Sequence, residues 1–121
     1  MNCAVITGCL EDGPSLYSAL MRRARKQHKC CECRELIVAG DQYEDVSGCW
    51  DGDFNTHKTC LLCVEIRAAF SDGQWVFGYI WQDLRDHFFP KMVAGGPCLE
   101  KLSAAAKEKM FAQWRKWKGI E

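Results

Sequence analysis

Two short segments decide the fold of this chain: residues 30–33 read Cys-Cys-Glu-Cys, and residues 60–63 read Cys-Leu-Leu-Cys. Two residues separate the outer cysteines of each segment, so a tight turn of the chain directs both sulfurs at one ion. Four thiolates form a closed tetrahedral shell, which is typical of structural zinc sites and leaves no position open for chemistry. The sequence therefore predicts one structural zinc ion, with the ligands Cys30, Cys33, Cys60 and Cys63.

Two further side chains are alternative ligands for the same ion. Cys31 lies within the first segment and is an alternative to its outer cysteines, while His57 precedes Cys60 by three residues. Buried free thiols are the competing interpretation, but paired spacing on both sides favours a metal. The chain has nine cysteines and no predicted secretory leader. This also favours metal ligation, because disulfides are rare in the cytosol.

The residues around the two segments predict a small α+β fold. Residues 30–37 predict a knuckle and the start of a strand, and residues 42–50 predict a second strand. An Asp-Gly pair at 51–52 predicts a hairpin turn, with the returning strand at 54–58. A helix over residues 60–70 completes the pattern. Knuckle, hairpin and helix in this order are typical of a treble-clef zinc finger.

Capping residues and apolar spacing predict where the helices lie. Thr59 is the expected N-cap of the helix that carries the second cysteine pair. Helical spacing of apolar residues predicts further helices over residues 15–27, from Tyr79 to before Pro90, and from Ser103 to about residue 117. The basic segment before the knuckle is also compatible with an extended chain. We therefore expect additional helices packed around a treble-clef core.

Length and composition indicate one globular domain. The chain has 121 residues, 48% of them apolar, and its 16 basic and 16 acidic residues give a net charge of zero. We expect an irregular N-terminal arm over residues 1–14 and a single zinc-binding domain over 15–121. Within that domain the zinc core spans 28–70 and a helical C-terminal part spans 75–118. The balanced charge argues against a generic nucleic-acid coat protein, and the absence of a leader or span favours the cytoplasm.

A longer set of residues surrounds the cysteines. The stretch 24–33 is followed by Ile37, Gly40, Tyr43-Glu44, Ser47-Gly48, Trp50-Asp51-Gly52, Lys58-Thr59-Cys60 and Cys63. This set resembles a group of small proteins encoded by bacteriophages and prophages. The resemblance covers residues 13 to about 88, and more weakly Cys98-Leu99 and Leu102-Ser103. It implies a zinc site and a phage setting, in the cytoplasm of a bacterial host cell, and it brings no established activity.

The pattern Cys-x-x-Cys-x-x-x-Ile over residues 30–37 is also similar to the knuckles of treble-clef fingers, including LIM-type modules. Some treble-clef proteins are nucleases of the HNH type, which need a histidine base and further ligands for a catalytic metal. Between the cysteine pairs this chain offers only Asn55 and His57. We therefore expect a protein that is not an enzyme, and an HNH-like nuclease is the least favoured alternative.

Binding of a macromolecule is the leading functional hypothesis. Five tryptophans and six phenylalanines exceed what a small core readily covers, and exposed aromatic residues mark interfaces. By analogy with small phage proteins, the expected partner is a host or defence-system protein that this chain inhibits or modulates. The alternative is a nucleic-acid-binding regulator. The residues predicted to contact the partner are Arg22, Arg23, Arg25, Lys26, Lys29, Trp50, Asp51 and Asp53.

Overall fold

A computed structural model describes residues 16–50, 52–71, 75–92 and 97–119 of this chain. The strands in these ranges are β1 Leu16–Arg23, β2 His28–Lys29, β3 Leu36–Ile37, β4 Gln42–Trp50 and β5 Asp53–Cys60. The helices are α1 Leu61–Phe70, α2 Ile80–His87, α3 Pro97–Glu100 and α4 Ala104–Lys118, with a short 3-10 helix, Phe89–Lys91, after α2. The α+β class predicted from the sequence is therefore correct.

Two antiparallel sheets frame the cysteines. The larger sheet has the strand order β1-β4-β5, with Leu16 opposite Cys49 and Arg23 opposite Gln42. β4 and β5 form the predicted hairpin, and Gly52 has a φ of 82°, which suits a tight turn that glycine tolerates. The smaller sheet pairs β2 with β3 on either side of the first cysteine pair. β5 then leads directly into α1, which carries the second pair.

The predicted helix over residues 15–27 is wrong, because residues 16–23 form β1. The stripe of Leu16, Ala19, Leu20 and Ala24 suggested a buried helical face, yet Leu20 is half exposed and only Ala24 is described as buried. β1 instead pairs along its whole length with β4. Backbone hydrogen bonding to a neighbouring strand outweighs the weak helical preference of such a segment.

The remaining helix predictions are confirmed with shifted ends. α1 begins at Leu61, one residue later than expected, and its N-cap is Cys60 and not Thr59, which is a buried residue of β5. α2 follows Tyr79 as predicted and ends at His87. Ser103 caps α4 as expected, with its Oγ accepting a hydrogen bond from the Ala106 amide at 3.2 Å. α3 was not predicted.

The core joins the helices to the cysteine segments. The buried cluster contains apolar side chains of α1, α2 and α4, such as Ile66, Leu84 and Met110, together with Cys30 and Cys63. The Phe70 and Phe88 rings pack with their centroids 4.7 Å apart. Removal of this apolar surface from water is the main driving force for folding. The cysteines therefore lie in the hydrophobic core and not on a separate lobe.

Some sequence predictions fall outside the described residues, among them the N-terminal arm over 1–14 and Asp51 of the hairpin turn. The division into a zinc core and a helical part stays a prediction. Among the described helices, none is both long and apolar enough to cross a bilayer.

Candidate metal centre and basic groove

The structure brings together the four cysteines predicted as ligands. Their sulfur atoms all lie within 4.8 Å of one another, and the Sγ atoms of Cys33 and Cys60 are 3.9 Å apart. Four sulfurs at roughly 2.3 Å from a central ion stand about 3.8 Å from each other in a tetrahedron. The cluster therefore has the size and donor set of a tetrahedral metal site.

Each cysteine pair reaches the cluster from a different local structure. In the first, the Cys30 carbonyl accepts a hydrogen bond from the Arg34 amide at 3.0 Å, and the Cys30 amide donates to the Glu35 carbonyl at 2.9 Å. Arg34 has a φ of 65°, the left-handed conformation needed to turn the chain after the second cysteine. In the second, Cys60 and Cys63 lie at the first turn of α1, where the positive end of the helix dipole favours thiolates.

Nitrogen donors surround the sulfur atoms. The amides of Glu32 and Cys60 each lie 3.4 Å from the Cys30 sulfur, and the Trp81 indole Nε1 lies 3.4 Å from the Cys63 sulfur. Donors of this kind stabilise ionised sulfur and fix the orientation of metal ligands. The surroundings of the cluster therefore suit thiolates better than neutral thiols.

The four thiols depend on one another for their charge. Hydrogen bonds from Cys33, Cys60 and Cys63 hold the pKa of Cys30 far below its ordinary value. The hydrogen bonds to Cys30 in turn raise the pKa values of Cys60 and Cys63. A divalent cation at the centre allows all four sulfurs to ionise.

Lys109 places a positive charge beside the cluster. Its Nζ lies 2.5 Å from a carboxylate oxygen of Glu35, and only 10% of its side chain is exposed. Burial by itself lowers the pKa of Lys109, yet the hydrogen bond to Glu35 and the charge of the nearby cysteines raise it above its usual value. A divalent ion with four thiolates carries a net charge of −2, so this ammonium group offsets part of the excess. Sequence reasoning did not find this role for Lys109.

Glu32 connects the first cysteine segment to α2. Its carboxylate accepts hydrogen bonds from the Gly78 amide, 2.9 Å from each oxygen, and from the Ile80 amide at 3.3 Å. The side chain is buried, and burial raises its pKa, while the two amide donors act in the opposite direction. Glu32 thus occupies the N-terminus of α2, where a negative charge is favourable. Its place inside Cys-x-x-Cys was the only sequence signal for this role.

The two alternative ligands lie outside the cluster. The Cys31 sulfur is 3.4 Å from the Thr59 hydroxyl oxygen, and burial raises the pKa of this thiol to about 12. His57 stacks on Phe77 with ring centroids 4.3 Å apart, and burial lowers its pKa. Neither residue belongs to the group of four sulfurs that the structure brings together.

A concave surface lies next to the cysteine segments, and we call it the basic groove. Its volume is about 600 Å³, and it is lined by Arg22, Arg23, Arg25, Lys26, His28, Tyr43 and Asp45. It therefore unites four of the residues predicted to contact a partner. Lys29, also predicted, lies on β2 opposite Leu36 and outside the lining.

Two acidic residues of β4, Glu44 and Asp45, are paired within the protein. Both oxygens of Glu44 accept hydrogen bonds from Arg67, at 2.8 and 2.9 Å. Asp45 pairs with Arg22 at 3.0 Å and lies 3.8 Å from the Lys58 ammonium. Asp53 is exposed at the start of β5. Of the other two predicted contacts on the hairpin, Trp50 lies at the end of β4 and Asp51 lies outside the described residues.

The fold and the cluster define a small α+β protein with a four-cysteine site able to hold a metal ion. Comparison of the chain with protein-family models, with curated proteins and with solved structures gives no match. The chain's own residues are therefore the basis for a functional proposal.

Proposed function

We propose that this protein is a non-enzymatic binding domain in which the four cysteines hold a structural zinc ion within a treble-clef finger. The sulfur separations fit a tetrahedral zinc shell, and the amide, indole and ammonium groups around the sulfurs suit its negative charge. The order of the elements supports the treble-clef assignment, because a cysteine turn, a hairpin and a helix follow one another. Zinc in such a shell stabilises the fold and performs no reaction.

The residues that a treble-clef nuclease would use have no catalytic role in this binding domain. A closed four-sulfur shell leaves no position for a substrate or a water molecule. His57, the candidate base, is a half-buried residue of β5 whose ring stacks on Phe77. Asn55 lies on β5, two residues before His57, and the sequence between the two cysteine segments contains no Asp-His or His-His pair of the kind that an HNH nuclease uses.

An anionic macromolecule is the partner that the geometry supports best. The observation that carries this proposal is the basic groove, where cationic side chains converge on one concave surface. The acidic hairpin offers less, since Glu44 and Asp45 have internal partners. The phage resemblance suggests an accessory factor that engages a host or defence-system protein. Such a partner is compatible with this proposal if it presents an acidic surface.

Retention on a polyanion tests this function. We expect the zinc-loaded protein to bind immobilised heparin and to elute earlier when Arg25 and Lys26 are both replaced by glutamine. Replacement of Arg115 and Lys116, a matched pair of exposed cations on α4, should leave elution nearly unchanged. Elution of folded wild-type protein from heparin without added salt would contradict the proposal.

A nuclease assay tests the non-enzymatic part of the proposal. We expect plasmid DNA to stay intact when it is incubated with the protein and Mg²⁺ or Mn²⁺. Cleavage that is lost on His57→Ala would contradict the proposal.

A further inference from the structure

We propose that the basic groove binds the phosphodiester backbone of single-stranded nucleic acid. This inference rests on the proposed binding function and specifies the class of the anionic partner. Phosphate groups spaced along a flexible chain are the anions that a row of arginine and lysine side chains binds best. The groove supplies such a row, since Arg22 and Arg23 end β1 and Arg25 and Lys26 follow in the loop before β2.

Two of these cations are exposed and unpaired within the part of the chain that the structure describes. Arg25 and Lys26 are exposed, and neither makes an ion pair or a side-chain hydrogen bond with any residue that the structure describes. Charged groups without internal partners are the ones that gain most from a bound phosphate. These two side chains therefore carry the electrostatic part of the site.

The other two cations are held in place. Arg22 Nε lies 3.0 Å from the Asp45 carboxylate, while 53% of the Arg22 side chain stays exposed. Arg23 donates from Nη1 to the Gly40 carbonyl at 2.6 Å. Each guanidinium has further N–H groups in a fixed fork, so an arginine fixed through one nitrogen can still donate to a phosphate. The negative charge of Asp45 in the groove is partly offset, because Arg22 Nε lies 3.0 Å from one carboxylate oxygen and the Lys58 ammonium lies 3.8 Å from the other.

The shape of the groove favours a single strand over a duplex. A duplex presents its phosphates on a convex surface, whereas a flexible strand can follow a concave path, and proteins that bind single strands use positively charged grooves of this kind. The half-buried His28 ring also lines the groove and lies against Tyr43 at 5.3 Å between centroids. A histidine ring supported in this way offers a surface on which a base can stack.

Backbone hydrogen bonds hold the start of the loop that carries Arg25 and Lys26. The Ala24 amide donates to the Asp41 carbonyl at 2.8 Å, and the Gly40 amide donates to the Ala24 carbonyl at 2.9 Å. These bonds hold the start of the Arg25–Lys26 loop, and its other end continues into β2, which leads directly into Cys30. We therefore expect nucleic-acid binding to need the metal-loaded fold, although none of the groove residues is a ligand.

Binding of labelled oligothymidylate by the full-length, zinc-loaded protein, followed by fluorescence anisotropy, tests the inference. For the wild type, with two to four phosphates contacted, we expect a slope of log K against log salt between about −1.4 and −2.8. Arg25→Gln/Lys26→Gln should weaken binding roughly 25-fold at 0.1 M salt and reduce the steepness of the slope by about 1.4. Arg115→Gln/Lys116→Gln, with the same loss of charge, should change affinity less than twofold. Zinc content and circular dichroism establish that all variants remain folded.

Two competitors separate this inference from the proposed function. A duplex of matched length and poly-glutamate should each compete at least tenfold more weakly than the oligonucleotide. If poly-glutamate competes equally well, or if the two double variants bind oligothymidylate alike, the inference is wrong, while heparin retention keeps the proposed function. If the protein binds no polyanion at all, both fail together.

Discussion

Arg34 is a non-glycine residue in a conformation that glycine adopts most readily. Its φ of 65° closes the turn after Cys33, and its side chain is exposed. The left-handed conformation costs a residue with a Cβ atom roughly 1 kcal/mol. We expect Arg34→Gly to leave zinc binding unchanged and to raise the free energy of unfolding by about 0.5–1 kcal/mol.

Urea unfolding of the zinc-loaded protein measures this difference. Arg25→Gly is the matched control, because Arg25 is also exposed but lies outside the set of residues with positive φ. That control should be neutral or slightly destabilised, since glycine increases the entropy of the unfolded chain. Equal destabilisation of both variants would show that backbone strain at residue 34 is not relieved by glycine.

Lys109 provides a second prediction at the scale of single residues. Its ammonium group is close to the cysteine cluster, where it would balance part of the negative charge of the proposed zinc tetrathiolate. Replacement of a group that supports metal ligands typically weakens metal affinity about 10- to 100-fold. We expect Lys109→Met to fall in that range when zinc is competed with a chromophoric chelator.

Lys116→Met is the control for this experiment, because Lys116 lies on the same helix and is exposed. It should retain the wild-type zinc affinity. An unchanged affinity in Lys109→Met would show that the ammonium group serves only its ion pair with Glu35.

At the scale of elements, Glu32 joins the first cysteine segment to α2. Its carboxylate accepts the Gly78 and Ile80 amides at the start of that helix. Glu32→Gln removes the negative charge that favours a helix N-terminus and weakens these bonds, so we expect a loss of about 1–2 kcal/mol. Hydrogen exchange of the α2 amides should accelerate more than exchange in α4.

Glu108→Gln, an exposed change on α4, should leave exchange in both helices unchanged. If Glu32→Gln alters exchange in all helices equally, the carboxylate contributes to global stability and does not specifically hold α2.

The elements also show which parts of the fold the sequence can predict. The Asp-Gly turn, Ser103 and the paired cysteines act through local chemistry, so the hairpin, the start of α4 and the cluster were predicted correctly. β1 depends on pairing with β4, which no local pattern reveals, and its apparent apolar stripe predicted a helix. The roles of Glu32 and Lys109 also depend on distant parts of the sequence. Glu32 accepts a hydrogen bond from Gly78, 46 residues away, and Lys109 pairs with Glu35, 74 residues away. Roles of that kind arise from tertiary packing.

At the scale of the whole molecule, the cluster lies within the core, because Cys30 and Cys63 are fully buried among its apolar residues. Zinc binding to a structural site is worth on the order of 10–16 kcal/mol, comparable to the net stability of a domain. We therefore expect Cys63→Ser to lose zinc and most of its cooperative thermal unfolding transition. Circular dichroism and metal analysis of the same sample measure both effects.

Cys31→Ser is the matched control, since Cys31 is a neighbouring thiol outside the cluster whose sulfur faces Thr59. This variant should keep one zinc ion and a cooperative transition. If Cys31→Ser loses zinc while Cys63→Ser retains it, the assignment of Cys63 and not Cys31 as a ligand is wrong.

X-ray absorption at the zinc edge, on natively purified full-length protein, tests the central claim most directly. A single structural zinc ion held by Cys30, Cys33, Cys60 and Cys63 predicts one zinc per chain with four sulfur neighbours at about 2.3 Å. Protein purified without stoichiometric zinc, or zinc with nitrogen or oxygen neighbours in its shell, would contradict the claim.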